Sequence, residues 1–272
     1  MIREKKIYCG EKYLEVDIYH YNFSKKNGKR SKKKKESLPC QRNLNDKNAK
    51  RKLIQLVEAN FTEKDYFLTL TYNDEFLPNT LEKAQKEVEN YLRRLKNRRI
   101  KENVEELKYI VITAFTPKKE KENENINKDE DTEVVRVHHH LLVNGGIDRD
   151  ILEELWSKGR GKNKKRMGYA NPKRLQPDPN TGLAAIAGYM IKQPTNKRRW
   201  SSSQNLERPY SRTNDYKYSR KKIQSIVGNQ KDLSYWEEQY PGYYIADKEN
   251  GYEEVHSDLL GWSIYLKLRK KE

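Results

Sequence analysis

The sequence predicts an α+β fold, a central antiparallel β-sheet with flanking helices. Three observations predict it. The runs "YFLTLTY" (66–72), "LKYIVITAF" (107–115) and "VVRVHHHLLV" (134–143) are short, β-branched, aromatic and apolar, the composition of buried strands. The second and third are joined by the polar, charge-dense stretch "TPKKEKENENINKDEDTE", and an antiparallel pair is the simplest account of that connection. Segments between and after these runs carry apolar residues at three- and four-residue steps, so helices return onto the sheet.

The elements follow in chain order. "KIYCGEKYLEVDIYHYNF" alternates well enough for one or two strands. "SKKNGKRSKKKKES" is a basic run without periodicity, either a solvated loop or a phosphate-binding arm. Ala49, Leu53, Leu56 and Val57 predict a helix over 45–60. "NDEFLPN" is turn chemistry, and Leu81, Ala84, Val88, Tyr91, Leu92 and Leu95 then predict an amphipathic helix over 80–100 with a basic outer face. Asp148 is placed to cap a helix carrying Ile151, Leu152, Leu155 and Trp156, and Trp156 reads as core rather than as a stacking platform. "SKGRGKNKKRMGYANPKR" is a basic, glycine-bearing loop. "NTGLAAIAGYMIKQP" is a second short helix, with Thr181 as its cap and Pro194 just past its end. Beyond 195 the chain is rich in Tyr, Ser and Lys, and "GWSIYLKLRKK" reads as a last strand. No internal repeat and no clean domain boundary is visible.

Composition narrows the function. The 272 residues suffice for one large domain or two small ones. Charged residues reach 36%, yet aromatics reach 10%, so a real core with charged loops and arms is expected rather than disorder. A formal charge of +17 attracts polyanions, nucleic acid first and an anionic membrane surface second. No apolar run approaches the length of a membrane span, and "MIREKKIYCG" lacks a signal-peptide core, so a cytoplasmic protein is expected. Cys9 and Cys40 are far apart, without a CxxC, which suggests a reducing compartment and neither a zinc ribbon nor a disulfide framework. The absence of GxxxxGK[ST] argues against ATP use.

Three of the five histidines stand together at 138–140. Side chains alternate across a strand, so His138 and His140 share one face with Leu142, while His139 faces the other way with Leu141 and Val143. The pair can present two imidazoles to a metal ion, or it can be two satisfied structural histidines. In "AGYMIKQP", Tyr189 and Lys192 lie one helical turn apart on one face. A phenol has a pKa near 10 in water. A nearby ammonium stabilises the phenolate, and a metal on the acceptor makes a phosphodiester electrophilic; those are the needs of a tyrosine nucleophile. A Tyr-x-x-Lys by itself is common and usually structural.

The ordered strings "YFLTLTYNDEFLP", "KYIVIT", "RVHHHLLV", "LWSKGR" and "GYMIKQ" resemble the replication initiators of the HUH endonuclease superfamily, the rolling-circle Rep proteins of small phages and bacterial mobile elements. The resemblance covers about residues 60–195, with weaker similarity into "RRWSSSQNL". It implies a ferredoxin- or RRM-like sheet topology, a nuclease core over 61–195, N-terminal strands, basic loop and helix (1–60) packed on that core, and an extension (196–272) that completes the sheet or binds DNA. His138 and His140 match the two metal-binding histidines, with His139 in the slot usually held by an apolar residue. Tyr189 matches the nucleophile and Lys192 the lysine that follows it. Ala185 stands where a two-tyrosine initiator has its other nucleophile, which points to the single-tyrosine type. Similar proteins often carry an acidic residue after Thr113; here it is Ala114, and two imidazoles alone hold Mg²⁺ or Mn²⁺ poorly. Another carboxylate, such as Asp74 or Glu75, would have to serve, or binding is weak.

The resemblance further implies that Tyr189 attacks a phosphate of single-stranded origin DNA, with a divalent cation (Mg²⁺ or Mn²⁺) at His138 and His140. A 5′-phosphotyrosine forms and a 3′-OH is freed as a primer for a host polymerase and helicase in a bacterial cytoplasm. Arg160, Lys162, Lys164, Lys165 and Arg166 are either phosphate contacts or a solvated loop. Relaxases and single-strand transposases share this chemistry. A non-catalytic nucleic-acid-binding protein on the same fold is the alternative that Ala114 favours, and an RNA-associated basic protein is permitted by composition.

Overall fold

The N-terminal alternation resolves into two antiparallel strands, β1 (Ile2–Cys9) and β2 (Tyr13–His20). Gly10 turns the chain between them at a φ of +66°, and a Cβ there would press on the backbone of Ala59. The computed structural model describes residues 1–22, 39–117, 134–192, 199–227 and 233–271. The basic run 24–37, most of the connection 116–133, Gln193 and Pro194 lie outside them. The described chain folds into two units, one of residues 1–60, 178–185 and 207–272, the other of 61–177 and 186–206.

The second unit contains the three apolar runs. Its elements are β3 (Tyr66–Thr71), α2 (Leu81–Lys101), β4 (Tyr109–Pro117), β5 (Val134–Val143), α3 (Arg149–Glu154), the short hairpin β6 (Ser157–Lys158) and β7 (Lys165–Arg166), β8 (Ala170–Arg174), residues 186–192 of α4 (Ala184–Lys192), and β9 (Ser201–Ser202). The sheet order is β8-β3-β5-β4-β9, with all neighbours antiparallel. Taken with α2 and α3, the strands β3, β4, β5 and β8 make the split β-α-β-β-α-β pattern, the ferredoxin-like order. Thr80 caps α2 by accepting from the Lys83 amide, and Asp148 caps α3 by accepting from the Asp150 amide. One face of the sheet, with Leu68, Leu70, Val111, Leu141 and Val143, packs on Val88, Tyr91 and Leu95 of α2 and on Leu152 and Trp156. Burying these side chains is what fixes strand register, because a one-residue slip would turn them all outward.

The first unit holds α1 (Pro39–Asn60), β10 (Tyr210–Asn214), α5 (Arg220–Ile226), α6 (Ser234–Gln239), β11 (Tyr243–Tyr244), β12 (Tyr252–Ser257) and β13 (Gly261–Lys270) beside β1 and β2. Its sheet runs β10-β1-β2-β13-β11, with β12 also on β13. The expectation was 1–60 packed on the core and 196–272 completing the sheet or binding DNA. The strands of these two segments pair with each other in a six-stranded sheet, and β9 joins the five-stranded sheet. The reason is local complementarity: Leu14, Val16 and Ile18 of β2 meet Leu268, Leu266 and Ile264 of β13 across the ladder, all nearly inaccessible. Arg51 of α1 holds the buried Glu15 and Asp17 of β2 through bonds of 2.6 Å to each. Among the described residues no helix is long and apolar enough to cross a membrane.

Candidate active site

β5 is the central strand of the five-stranded sheet and carries the histidines. His138 and His140 point to the same face, their ring centroids 4.8 Å apart and nearly perpendicular. Register places Thr71 and Thr69 of β3 on one side of them and Ala114 and Ile112 of β4 on the other. α4 brings Tyr189 to this face. Its ring stands edge-on to His140 at 5.2 Å and to Phe67 of β3 at 6.2 Å, while Phe67 stacks on His140 at 5.5 Å. His138, His140 and Tyr189 are therefore brought together, although the helix and the strand are about fifty positions apart in the chain. Tyr189 is 49% exposed, so the residue is accessible from solvent.

The two ring nitrogens of His140 differ. Nδ1 lies 3.3 Å from the Thr69 hydroxyl, whereas Nε2 is buried and has no hydrogen-bond partner. An orphaned buried nitrogen is costly unless something binds it. Burial lowers the pKa of His140 to about 4 and also lowers that of His138, so both rings are neutral near pH 7. A neutral ring whose Nδ1–H is donated to Thr69 keeps the Nε2 lone pair unshared, the ligand form of histidine.

His139 is a different kind of residue. It is fully buried on the opposite face, with Nδ1 2.9 Å from the Thr113 hydroxyl and Nε2 2.8 Å from the Tyr72 hydroxyl, beside Trp156. Burial lowers its pKa to about 3, so it is a neutral core residue with both nitrogens satisfied.

No family model matches the chain, and neither a curated protein nor a solved structure does.

The metal question turns on donors. Two imidazole nitrogens are present, one of them unpartnered, but among the described residues no third His, Cys, Asp or Glu joins them in a three-ligand group. Asp74 and Glu75 do not supply the missing carboxylate, and Glu75 is ion-paired with Lys165 at 2.7 Å. Ala114, fully buried, is the cross-strand partner of His138, so the position where an acid would meet the pair holds a methyl group. The site thus fits a divalent cation in part, as two nitrogen ligands whose remaining positions water and a substrate phosphate must fill.

Lys192 ends α4, is exposed, and makes no hydrogen bond or ion pair among the described residues. Ala185 is exposed one turn before Tyr189. The basic loop lies close to β3: Asn73 and Thr71 donate backbone bonds to the Met167 and Tyr169 carbonyls, and a Cβ on Gly168 would collide with the Thr71 carbonyl. Arg160, Lys162, Lys164, Lys165 and Arg166 are all exposed. Lys164 pairs with Glu154 at 2.5 Å, which with the Lys165–Glu75 pair engages two of the five cations in exposed, weak ion pairs. Trp156 is core, its indole N–H donated to the Thr71 carbonyl at 2.7 Å. Thr181 does not cap α4, because its hydroxyl and amide both go to Asp178.

Sequence reasoning missed Phe67, Thr69 and Tyr169. Phe67 and Thr69 share the histidine face, and Tyr169 is 84% exposed next to β3. Their parity relative to His140 depends on the pairing register, which no local pattern carries.

Proposed function

We propose that this chain nicks and rejoins single-stranded DNA through a phosphotyrosine intermediate, in the manner of the HUH endonucleases it resembles, and that it initiates rolling-circle replication. The observation that carries this reading is the convergence of Tyr189 on His140 at one open face. The Tyr189 phenolic oxygen attacks a scissile phosphorus, the bond from phosphorus to the 3′ oxygen breaks, and a tyrosine ester of the 5′ phosphate forms. The phenolic proton passes to water, and the departing 3′ oxygen takes a proton from solvent to become the primer hydroxyl. Phe67 and His140 flank the Tyr189 ring and hold its direction of approach, so positioning supplies much of the rate. Lys192, on the same face of α4, supplies positive charge for the phenolate or the leaving oxygen. When bound at His138 and His140, a divalent ion supplies Lewis-acid charge against the non-bridging phosphate oxygens. Arg160, Lys162 and Arg166 are the loop cations left to hold the strand, since no ion pair occupies them among the described residues. In this reading a host helicase and polymerase, in the cytoplasm of a bacterium, carry out unwinding and synthesis.

A single-stranded DNA pool of randomised sequence, end-labelled and incubated with Mn²⁺, tests the reading. The protein forms an adduct that survives denaturation, Tyr189→Phe forms none, and His140→Ala forms little. A second reading, single-strand binding without cutting, is favoured by Ala114 opposite His138. It predicts retention of the pool with no adduct at any Mn²⁺ concentration.

A further inference from the structure

The first unit carries an aromatic and basic surface that the nicking reading does not use. On the outer strand of its sheet, all five residues of β10 are exposed. Tyr210 faces Tyr8 of β1 across the ladder, and their rings stack at 4.9 Å and 14°. The guanidinium of Arg212 sits 5.8 Å from both ring centroids and makes no ion pair or hydrogen bond among the described residues. Tyr210 remains 50% exposed in this stack. Tyr243 of β11 is close enough for both phenols to influence it electrostatically. Along the chain, residues 208–222 hold six Lys or Arg and one acid, Asp215, which pairs with Arg3 at 2.6 Å, while Lys217 pairs with Glu4 and Arg220 bonds His20.

We infer that the Tyr8–Tyr210 stack with Arg212 is a second binding site for single-stranded DNA, with a base on the ring of Tyr210 and a phosphate on Arg212. A stacked aromatic pair with an uncompensated guanidinium offers what an unpaired strand presents, a flat base and a phosphate at each step. Duplex DNA keeps its base faces covered and cannot use the ring. A peptide added to the free edge of β10 would use backbone groups and be indifferent to the ring and the guanidinium. The choice of DNA over RNA rests on the nicking reading; the stacking surface does not.

The test is fluorescence anisotropy of the full chain with labelled oligo(dT) and oligo(rU). Tyr210→Leu and Arg212→Ala are expected to weaken oligo(dT) binding by about fivefold or more each, the loss of one stacked base or one phosphate contact. Tyr210→Phe, which keeps the ring, is expected to bind as the parent does. Unchanged oligo(dT) binding by Tyr210→Leu and Arg212→Ala would overturn the site. Equal losses in Tyr210→Phe and Tyr210→Leu would overturn the stacking role, and tighter binding of oligo(rU) than oligo(dT) would overturn the choice of DNA. Adduct formation at saturating DNA, measured on the same variants and on Tyr189→Phe, keeps the two proposals apart. It persists in Tyr210→Leu and vanishes in Tyr189→Phe if both are right.

Discussion

The ring of Tyr189 meets that of His140 edge-on, 5.2 Å between centroids at 69°, and Phe67 touches both. Three aromatic rings on three elements thus define one corner of an open face. An edge-to-face contact fixes ring direction without covering the hydroxyl. A nucleophile needs both properties.

Thr69 acts on this corner through His140. Its hydroxyl lies 3.3 Å from Nδ1, and when it accepts the Nδ1 proton the Nε2 lone pair is left for a metal ion. Thr69→Val keeps the shape and removes the acceptor. Mn²⁺ affinity by calorimetry is expected to fall about tenfold, with recovery in Thr69→Ser.

Ala114 faces His138 directly. Ala114→Glu places a carboxylate beside the two imidazoles and is expected to raise Mn²⁺ affinity by about tenfold or more, since hard cations favour oxygen. Titration calorimetry reads this directly, and an unchanged affinity would show that position 114 does not address the pair.

His139 makes stability depend on pH. The unfolded chain protonates this histidine near 6.5, while the folded protein keeps it neutral down to about 3. Its contribution is therefore complete above pH 6.5 and is lost as pH falls from 6.5 towards 3, on the order of 5 kcal/mol in all. Chemical denaturation of metal-free protein across that window is expected to show a slope shallower by about one proton in His139→Leu than in the parent.

The cysteines differ sharply in reactivity. Cys9 is fully buried, and burial with Glu15 and Glu58 nearby pushes its thiol well above the ordinary range, while Cys40 is exposed. A colorimetric thiol reagent is expected to modify one cysteine in the native protein, lost in Cys40→Ser, and a second only after unfolding.

The sequence made the helices and buried strands readable because their signals are local. The three- and four-residue steps from Leu81 to Leu95 and the apolar runs around Leu68, Ile110 and Leu141 place α2, β3, β4 and β5 within two residues of their observed ends. Exposed strands were not readable. β8 contains Pro172, tolerated because β8 has only β3 as a neighbour, and β10 shows no alternation because all of it faces solvent. The second sheet was hidden for another reason: β2 and β13 meet across most of the chain, and such pairing is set by tertiary complementarity. The alternation rule separated His139 from its neighbours, but the partners of His140 became visible only with the register.

Identifying the modified residue tests the central claim most directly. Trypsin releases residues 175–192 as one peptide, whose single tyrosine is Tyr189. After incubation with single-stranded DNA and Mn²⁺, followed by nuclease and tryptic digestion, mass spectrometry is predicted to find a nucleotide phosphate on this peptide, at Tyr189. The same adduct on a different tyrosine, or in Tyr189→Phe, would contradict the account.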